Sequence, residues 1–344
     1  VTLDAGSGCV HTAPGFGADD FNICQKYDKA GLTHIGVPVP VNAKGVMTDE
    51  RFNGVHISKA NDYVLPALEE CGALLAKEDI VHSYPHCWRC KKPIIFRATQ
   101  QWFASVDAIK DAAVEACDDI TWKPEWGKER MISMIRERSD WCISRQRTWG
   151  VPIPIFFCKD CGKPYCTPES IEKISEIFGA EGSNAWWAKE AKELMPEGAA
   201  CECGCKEFTK ETDIMDVWFD SGSTWAAVCD HNPEHPELVY PTDLYLEGGD
   251  QYRGWFQSSM LTSIAARGVA PYTPIITHGW TVDGPGNAMH NSLCNTVAPQ
   301  ALIKDYCADI LRLWFSSSDY TQDMRISQPI LKQLYDASLK LPHP

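Results

Sequence analysis

The stretch Asp243 to Phe256, DLYLEGGDQYRGWF, restricts the possible folds more than any other part of the chain. A short apolar run suited to a strand stops abruptly in Glu247, Gly248, Gly249, Asp250 and Gln251, and a helical pattern follows from Arg253 to Ala266. A core has no use for carboxylate, amide and glycine packed so closely. A strand that ends in polar groups and leads into a helix is the repeating unit of parallel sheets, which take ligands at the carboxyl ends of their strands. Pro274 to Gly279 repeats the pattern, closing on Thr277, His278 and Gly279. Further strands are expected at Val151–Phe157 and Asp216–Phe219, and a further helix at Ala308–Ser317. The expectation is an α/β fold, with Glu247, Asp250 and Gln251 gathered beside His278.

Before this region the pattern differs. Residues 1 to 75 alternate Gly/Pro loops with β-rich runs such as His34 to Val41, and a helical pattern covers Lys59 to Leu75. Between residues 76 and 125, PHCWRCKKPIIFRATQQWF reads as a cysteine knuckle and a strand, followed by a helix from Ser105 to Cys117. A length of 344 residues accommodates two or three domains. No apolar run reaches the ~18–20 residues of a membrane span, and no signal peptide opens the chain, so a cytoplasmic protein without membrane attachment is expected. Net charge of −14 disfavours a general nucleic-acid binder. Locally, however, Thr121 to Gly150 carries seven Lys/Arg against four acids. Such a strip suits RNA phosphates, or is simply a solvated helix face.

Sixteen cysteines in a large chain with C-x-x-C spacing point to metal rather than disulfides. Cys158, Cys161, Cys201 and Cys203 are the expected ligands of one structural Zn²⁺, with Cys166 and Cys205 as possible replacements. Cys87 and Cys90 form half a site, with His86 as a weak extra donor. Glycines at 6, 8, 15 and 17 make a loop that lets backbone approach a ligand, with His11 and Asp20 as a candidate polar pair; a purely structural loop is the other reading.

Three blocks, DLYLEGGDQYRGWF, DVWFDSGST and SDWCISRQRTWGVP, resemble the catalytic core of class I aminoacyl-tRNA synthetases. LYLEGGDQYRGWF and WCISRQRTWGVPIPIF are similar to the isoleucine branch rather than the valine or leucine branches. The resemblance implies the second half of a Rossmann-type catalytic core, with part of a β-rich editing domain and a zinc-ribbon insertion. In these terms residues 1–75 are editing domain, 76–125 a connective segment, 126–306 catalytic core with the insertion at 156–210, and 307–344 the start of a helical stem-contact region. The chain is then an internal segment, with the HIGH-bearing part before it and the anticodon-binding region after it. HIGV at His34 to Val37 is no substitute, because it lacks the second histidine.

By the same resemblance Glu247, Gly248, Asp250, Gln251, Trp255, His278 and Gly279 contact an aminoacyl-adenylate. Trp218 and Trp255 shape its side-chain pocket, or alternatively serve only as core. GCVHTAPGFGADD resembles the editing domain, where His11 lines a pocket and Asp20 grips an α-amino group. The partners implied are tRNA-Ile, isoleucine and ATP with Mg²⁺; the parent reaction is ATP-dependent aminoacylation with hydrolysis of mischarged valine, and the full-length protein is expected to be a monomer. One departure stands out. Where the family carries KMSKS, this chain has Ala288, Met289, His290, Asn291 and Ser292, without either lysine. A non-catalytic relative that binds RNA or an aminoacyl ligand is therefore the alternative. A plain zinc-ribbon interaction module would explain the cysteines and none of the three blocks.

Overall fold

The computed structural model describes residues 8–87, 90–230, 232–290 and 294–340. The chain divides into two compact units, Val1–Gln100 and Gln101–Pro344. In the first unit, α1 spans Ala18–Lys29 and α2 spans Ala60–Glu70. Acids in the first turn of α1 (Asp19, Asp20) and lysines in its last turn (Lys26, Lys29) both suit the helix dipole. The β-rich run at His34 to Val41 forms no strand beyond a single bridge from Val41 to Met47. Pro38 and Pro40 supply no N–H, so a ladder has nothing to continue with. The strand expected within PIIFRATQQW is likewise not formed.

The second unit holds β1 (Phe103–Ala104), α3 (Lys110–Ala116), β2 (Thr121–Lys123), α4 (Gly127–Arg136), β3 (Trp141–Cys142) and β4 (Ser144–Arg145). Next come β5 (Phe156–Cys158), β6 (Pro164–Tyr165), α5 (Pro168–Glu181), α6 (Ala185–Ala188), α7 (Ala191–Leu194), β7 (Phe208–Lys210) and β8 (Ile214–Met215). Then follow α8 (Val217–Gly222), β9 (Tyr245–Gly248), α9 (Trp255–Arg267), β10 (Pro274–His278) and β11 (Thr281–Val282). Last are α10 (Pro299–Ser317), β12 (Met324–Arg325) and α11 (Gln328–Ser338); Cys307, at φ 63° and ψ 166°, breaks α10 into two helical pieces.

The fold is α/β. Its central sheet has the order β2-β10-β9, and both pairings are parallel. Helix α9 connects β9 to β10 and packs on one sheet face. Its side chains Phe256, Met260, Leu261 and Ile264 join Tyr245, Ile275, Trp122, Met131 and Ile135 in the main core. Buried serines at 258, 259 and 263 make α9 less apolar than its position suggests. A second core lies around Phe156, Trp186, Leu194 and Phe208, on the antiparallel sheet β6-β5-β7. Helix α5 opens on a capping box in which Thr167 and Ser170 satisfy each other's backbone N–H groups. A third core joins α10, β12 and α11.

Two expected strands are corrected. Asp216 to Phe219 is the start of α8: the Asp216 carboxylate accepts from Trp218 N, as an N-cap does, and β8 has ended one residue earlier. Val151 to Phe157 forms a continuous strand only from Phe156; before it Pro152 makes a single antiparallel bridge to Ile214, and Pro152 and Pro154 supply no N–H to extend it. Among the described residues no helix is long and apolar enough to cross a membrane.

Candidate functional site

Strands β9 and β10 end side by side, Glu247 opposite Thr277 and Gly248 opposite His278. Residues at a strand's alternate positions share a face. Tyr245, Glu247, Ile275 and Thr277 therefore fall on the α9 face, and Gly248 and His278 on the other. A Cβ built on Gly248 would stand 3.0 Å from Asp250 Oδ1 and 3.5 Å from His278 Cε1, so Asp250 and His278 flank the same glycine. The expected single cluster is corrected in one respect: strand parity puts Glu247 on the face opposite His278. Its Oε2 accepts from Gly248 N at 3.1 Å.

Gln251 Nε2 donates to Asp250 Oδ2 at 3.1 Å, and its Oε1 accepts from Trp255 N at 2.7 Å. The amide thus orients Asp250 while satisfying one of the free N–H groups at the start of α9. Trp255 stacks on Tyr245 at 4.1 Å and donates from Nε1 to Ser221 O at 2.9 Å. Trp218, 42% exposed, comes within 3.1 Å of where a Gly254 Cβ would stand. Two indoles, one packed and one open, thus border the turn that carries Asp250 and Gln251. His278 Nδ1 bonds the Gly279 carbonyl at 2.8 Å, and His278 also borders a cavity of about 440 Å³ with Leu246, Ile276 and Phe315. Gly279 has a packing reason to be glycine: a Cβ there would meet Gln322 O at 2.2 Å.

The loop that follows is tied by Asp283. Its carboxylate accepts from Asn287 N at 2.7 Å, Gly286 N at 2.9 Å and Asn295 Nδ2 at 3.0 Å. Those bonds, led by Asn295, hold its pKa below the usual carboxylate range. Asn295 also accepts from His290 N and donates to Ala288 O. Ala288 and His290 are exposed and Met289 packs against the third core. Asn291 and Ser292 lie outside the described residues.

Sequence reasoning missed a polar cluster beneath this site. Asp216, 4% exposed, accepts from Trp141 Nε1 at 2.9 Å and pairs with Arg145 at 3.1 Å. Arg138 donates to Gln257 Oε1 and lies 5.0 Å over the Trp141 ring. Arg145 was visible as one of the basic residues, but a short sequence motif says nothing of which distant side chain it meets.

The four candidate metal ligands meet. The Sγ atoms of Cys158, Cys161, Cys201 and Cys203 all lie within 4.8 Å of one another, with Cys158–Cys203 and Cys161–Cys201 both at 3.5 Å. Tetrahedral Zn–S bonds of about 2.3 Å require sulfurs about 3.8 Å apart, so the donor set fits. Each pair sits on a tight knuckle closed by a glycine in the left-handed region, Gly162 at φ 69° and Gly204 at φ 87°. The backbone N–H groups of Cys161 and Asp160 pull the Cys158 thiol down to about 6, against its burial. Cys205 instead bonds the backbone of Glu207, and Cys166 is exposed outside the cluster.

In the first unit, Asp20 Oδ2 accepts from Ala13 N at 2.9 Å, pinning the glycine loop to α1, while His11 is exposed. Cys90 N approaches Cys87 Sγ at 3.5 Å, and Lys91 follows at φ 59°. His86 Nδ1 bonds Tyr84 O.

The profile of the tRNA synthetases class I (I, L, M and V) matches residues 20–327. The isoleucine–tRNA ligase of Caldicellulosiruptor bescii is 55% identical over 344 residues, 99% of this chain and 36% of that protein. That of Caldanaerobacter subterraneus subsp. tengcongensis is 53% identical over 343 residues, again 99% and 36%. The chain thus spans about a third of the length of these relatives. Among solved structures, Mycobacterium tuberculosis methionyl-tRNA synthetase in complex with methionyl-adenylate aligns with a TM-score of 0.49 and 15% identity, over 93% of this chain and 55% of that one.

Proposed function

The chain belongs to the class I tRNA synthetases, and from that premise we propose that it is the part of an isoleucine–tRNA ligase that holds the aminoacyl-adenylate. The observation that carries the reading is the juxtaposition of Asp250 and His278 across Gly248 at the carboxyl ends of two parallel strands. Asp250, oriented by Gln251, offers an acceptor to an ammonium or to ribose hydroxyls. Gly248 lets the ligand approach the backbone between them, and His278 and Gly279 close one side. Trp218 and Trp255 supply apolar walls for an aliphatic side chain. Glu247, on the other strand face, serves the turn through Gly248 N. ATP with Mg²⁺, isoleucine and tRNA-Ile are the substrates of the whole enzyme, acting as a monomer in the cytoplasm.

His11 and Asp20 belong, on this reading, to hydrolytic editing. A methylene supplies only ~1–3 kcal/mol of discrimination, so valine escapes the first site; this enzyme family is the standing illustration of that limit. Cys158, Cys161, Cys201 and Cys203 would hold a Zn²⁺ that cross-links the insertion and takes no part in the reaction. Domain limits follow as above: editing to residue 75, connection to 125, catalytic core to 306, stem contact beyond.

The loop of Ala288, Met289, His290, Asn291 and Ser292 favours a second reading, an aminoacyl- or RNA-binding relative without turnover. Ligand binding tests the site under either reading. A non-hydrolysable isoleucyl-adenylate analogue is expected to bind about 10–200-fold tighter than its valyl counterpart, one methylene apart. Asp250→Asn should weaken it at least about tenfold, roughly 1.4 kcal/mol, without altering circular dichroism. Equal affinity for isoleucyl, valyl and leucyl analogues would overturn the assignment.

A further inference from the structure

Beside the sheet β6-β5-β7 two tight turns, residues 158–162 and 201–205, face each other. Each is closed by its own backbone: Gly162 N donates to Cys158 O at 3.0 Å, and Gly204 N donates to Cys201 O at 2.8 Å. Contacts that involve no sulfur hold the turns together. Cys158 pairs with Phe208 in the ladder between β5 and β7, and Lys159 N donates to Glu207 O at 3.0 Å. Two exposed ion pairs, Lys159–Glu207 at 3.0 Å and Lys163–Glu202 at 3.2 Å, span the same gap. The turns therefore stay opposed when the sulfurs change partners.

The four cysteines on these turns differ in access. Cys158 and Cys201 are 2% and 8% exposed and belong to the core of Phe156 and Phe208, whereas Cys161 and Cys203 are exposed. The two sulfur contacts at 3.5 Å cross from one turn to the other, and each joins an exposed thiol to a buried one: Cys203 to Cys158, and Cys161 to Cys201. A disulfide bond of about 2.05 Å is reached from there by moving each sulfur less than about 1 Å. An oxidant meets the exposed thiols first, and a second thiol within reach traps the oxidation at its reversible stage.

We propose that the four cysteines form a redox switch as well as a metal site: a hydroperoxide converts them to two disulfides, Cys158–Cys203 and Cys161–Cys201, with release of the ion. In each pair the exposed thiolate attacks a peroxide oxygen. The O–O bond breaks, the exposed sulfur becomes a sulfenic acid, and the other oxygen leaves as hydroxide or alkoxide. The buried thiol then attacks that sulfur. The S–S bond forms, the S–O bond breaks, and hydroxide leaves with the thiol's proton as water. Each pair gives up two electrons to the peroxide, which ends as water and an alcohol, or as water alone when it is hydrogen peroxide. Thiolate, not disulfide, is the metal ligand, so oxidation removes the donor set. The new bonds join the turns across separations of 45 and 40 residues, as a metal would, and the oxidised chain keeps its cross-links without one. The release rests on the zinc reading above; the pairing rests on the sulfur positions alone.

Hydrogen peroxide added to the zinc-loaded whole chain tests both, with zinc release read by a chromogenic chelator and disulfides mapped by non-reducing peptide mass spectrometry. Cys158–Cys203 and Cys161–Cys201 are expected, zinc should leave in step with them, and dithiothreitol with added zinc should reverse the change. The oxidised, metal-free chain should unfold at a higher temperature than the reduced, metal-free chain. Cys203→Ser should leave Cys161–Cys201 as the one cross-link in the cluster. Cys166→Ser, at an exposed cysteine outside the cluster, should alter nothing. A purified chain without zinc that still forms the two bonds would remove the metal-release half of the proposal and uphold the disulfide half. Bonds within a turn (Cys158–Cys161 or Cys201–Cys203), bonds to Cys166 or Cys205, or exposed sulfurs driven to sulfinic acid with no cross-link would each overturn the pairing. Zinc retained at peroxide levels that oxidise Cys166 would overturn the switch.

Discussion

Asp216 and Asp220 open α8 four residues apart, and among the described residues only the first pairs with a cation. Asp216 pairs with Arg145, whereas burial, reinforced by the Asp216 charge, pushes the Asp220 carboxyl up to about 6. The ordinary value is 3.8. Between about pH 4 and 6 the folded chain therefore binds more protons at Asp220 than the unfolded chain does, and stability falls as pH rises through that window. Asp220→Asn should remove that decline, so that urea midpoints at pH 5 and pH 7.5 lie closer together than in the unsubstituted chain; an unchanged slope would show that Asp220 is not the group responsible. DVWFDSG displays both acids in the sequence. Which of them gains a guanidinium depends on a strand some seventy residues earlier, and no local pattern encodes that. Glu247 and His278 teach the same lesson. Their polar character and strand-end positions were readable, but the side of the sheet each occupies follows from the register between β9 and β10.

At the scale of elements, the sheet β6-β5-β7 and helices α5 to α7 share a core of their own beside the four cysteines. Phe156, Trp186 and Phe208 pack beside Cys158 and Cys201, so a metal held by the cysteines would brace the apolar core. Protein purified without chelator is expected to carry one zinc, and Cys201→Ser should release it. Loss of a structural metal typically costs several kcal/mol, which at about 4–8 °C per kcal/mol for a small unit lowers its unfolding temperature by more than about 10 °C. Cys205→Ser should retain both the zinc and the stability, because Cys205 is bound to the Glu207 backbone and lies outside the sulfur cluster. Elemental analysis beside calorimetry checks both variants, and zinc retained by Cys201→Ser would rule out the ligand set. The C-x-x-C pair Cys158/Cys161 and the C-x-C pair Cys201/Cys203 were enough to propose the four ligands. Choosing them over Cys166 and Cys205 required the two knuckles to be brought face to face. Element type was less legible where prolines or a capping aspartate intervened, at His34 to Val41, Val151 to Ile155 and Asp216 to Phe219.

For the whole molecule, binding and turnover separate. On the proposed reading Asp250, Gln251 and His278 would hold an adenylate, but activation would also need cations on the triphosphate as the carboxylate attacks. By the resemblance, Ala288 and Asn291 stand where two lysines would be expected. Losing one preorganised donor in such a role costs about 10²–10³ in rate, or ~3–4 kcal/mol, and two losses compound. Isoleucine-dependent pyrophosphate exchange by this chain is accordingly expected at background level, even under conditions where the isoleucyl-adenylate analogue binds. Exchange well above a no-protein control would show that the lysines are dispensable here. The sequence alone determined the family, the α/β class, the strand-end polar residues and the candidate cysteine pairs, because each is written in a short run whose chemistry admits few other uses. Only the tertiary structure decided which side chains share a sheet face, which acid meets Arg145, and that Gln257 and Arg138 are left with buried donors unmet. These depend on strand register and on helix packing between residues far apart in the chain, and no local pattern carries that information.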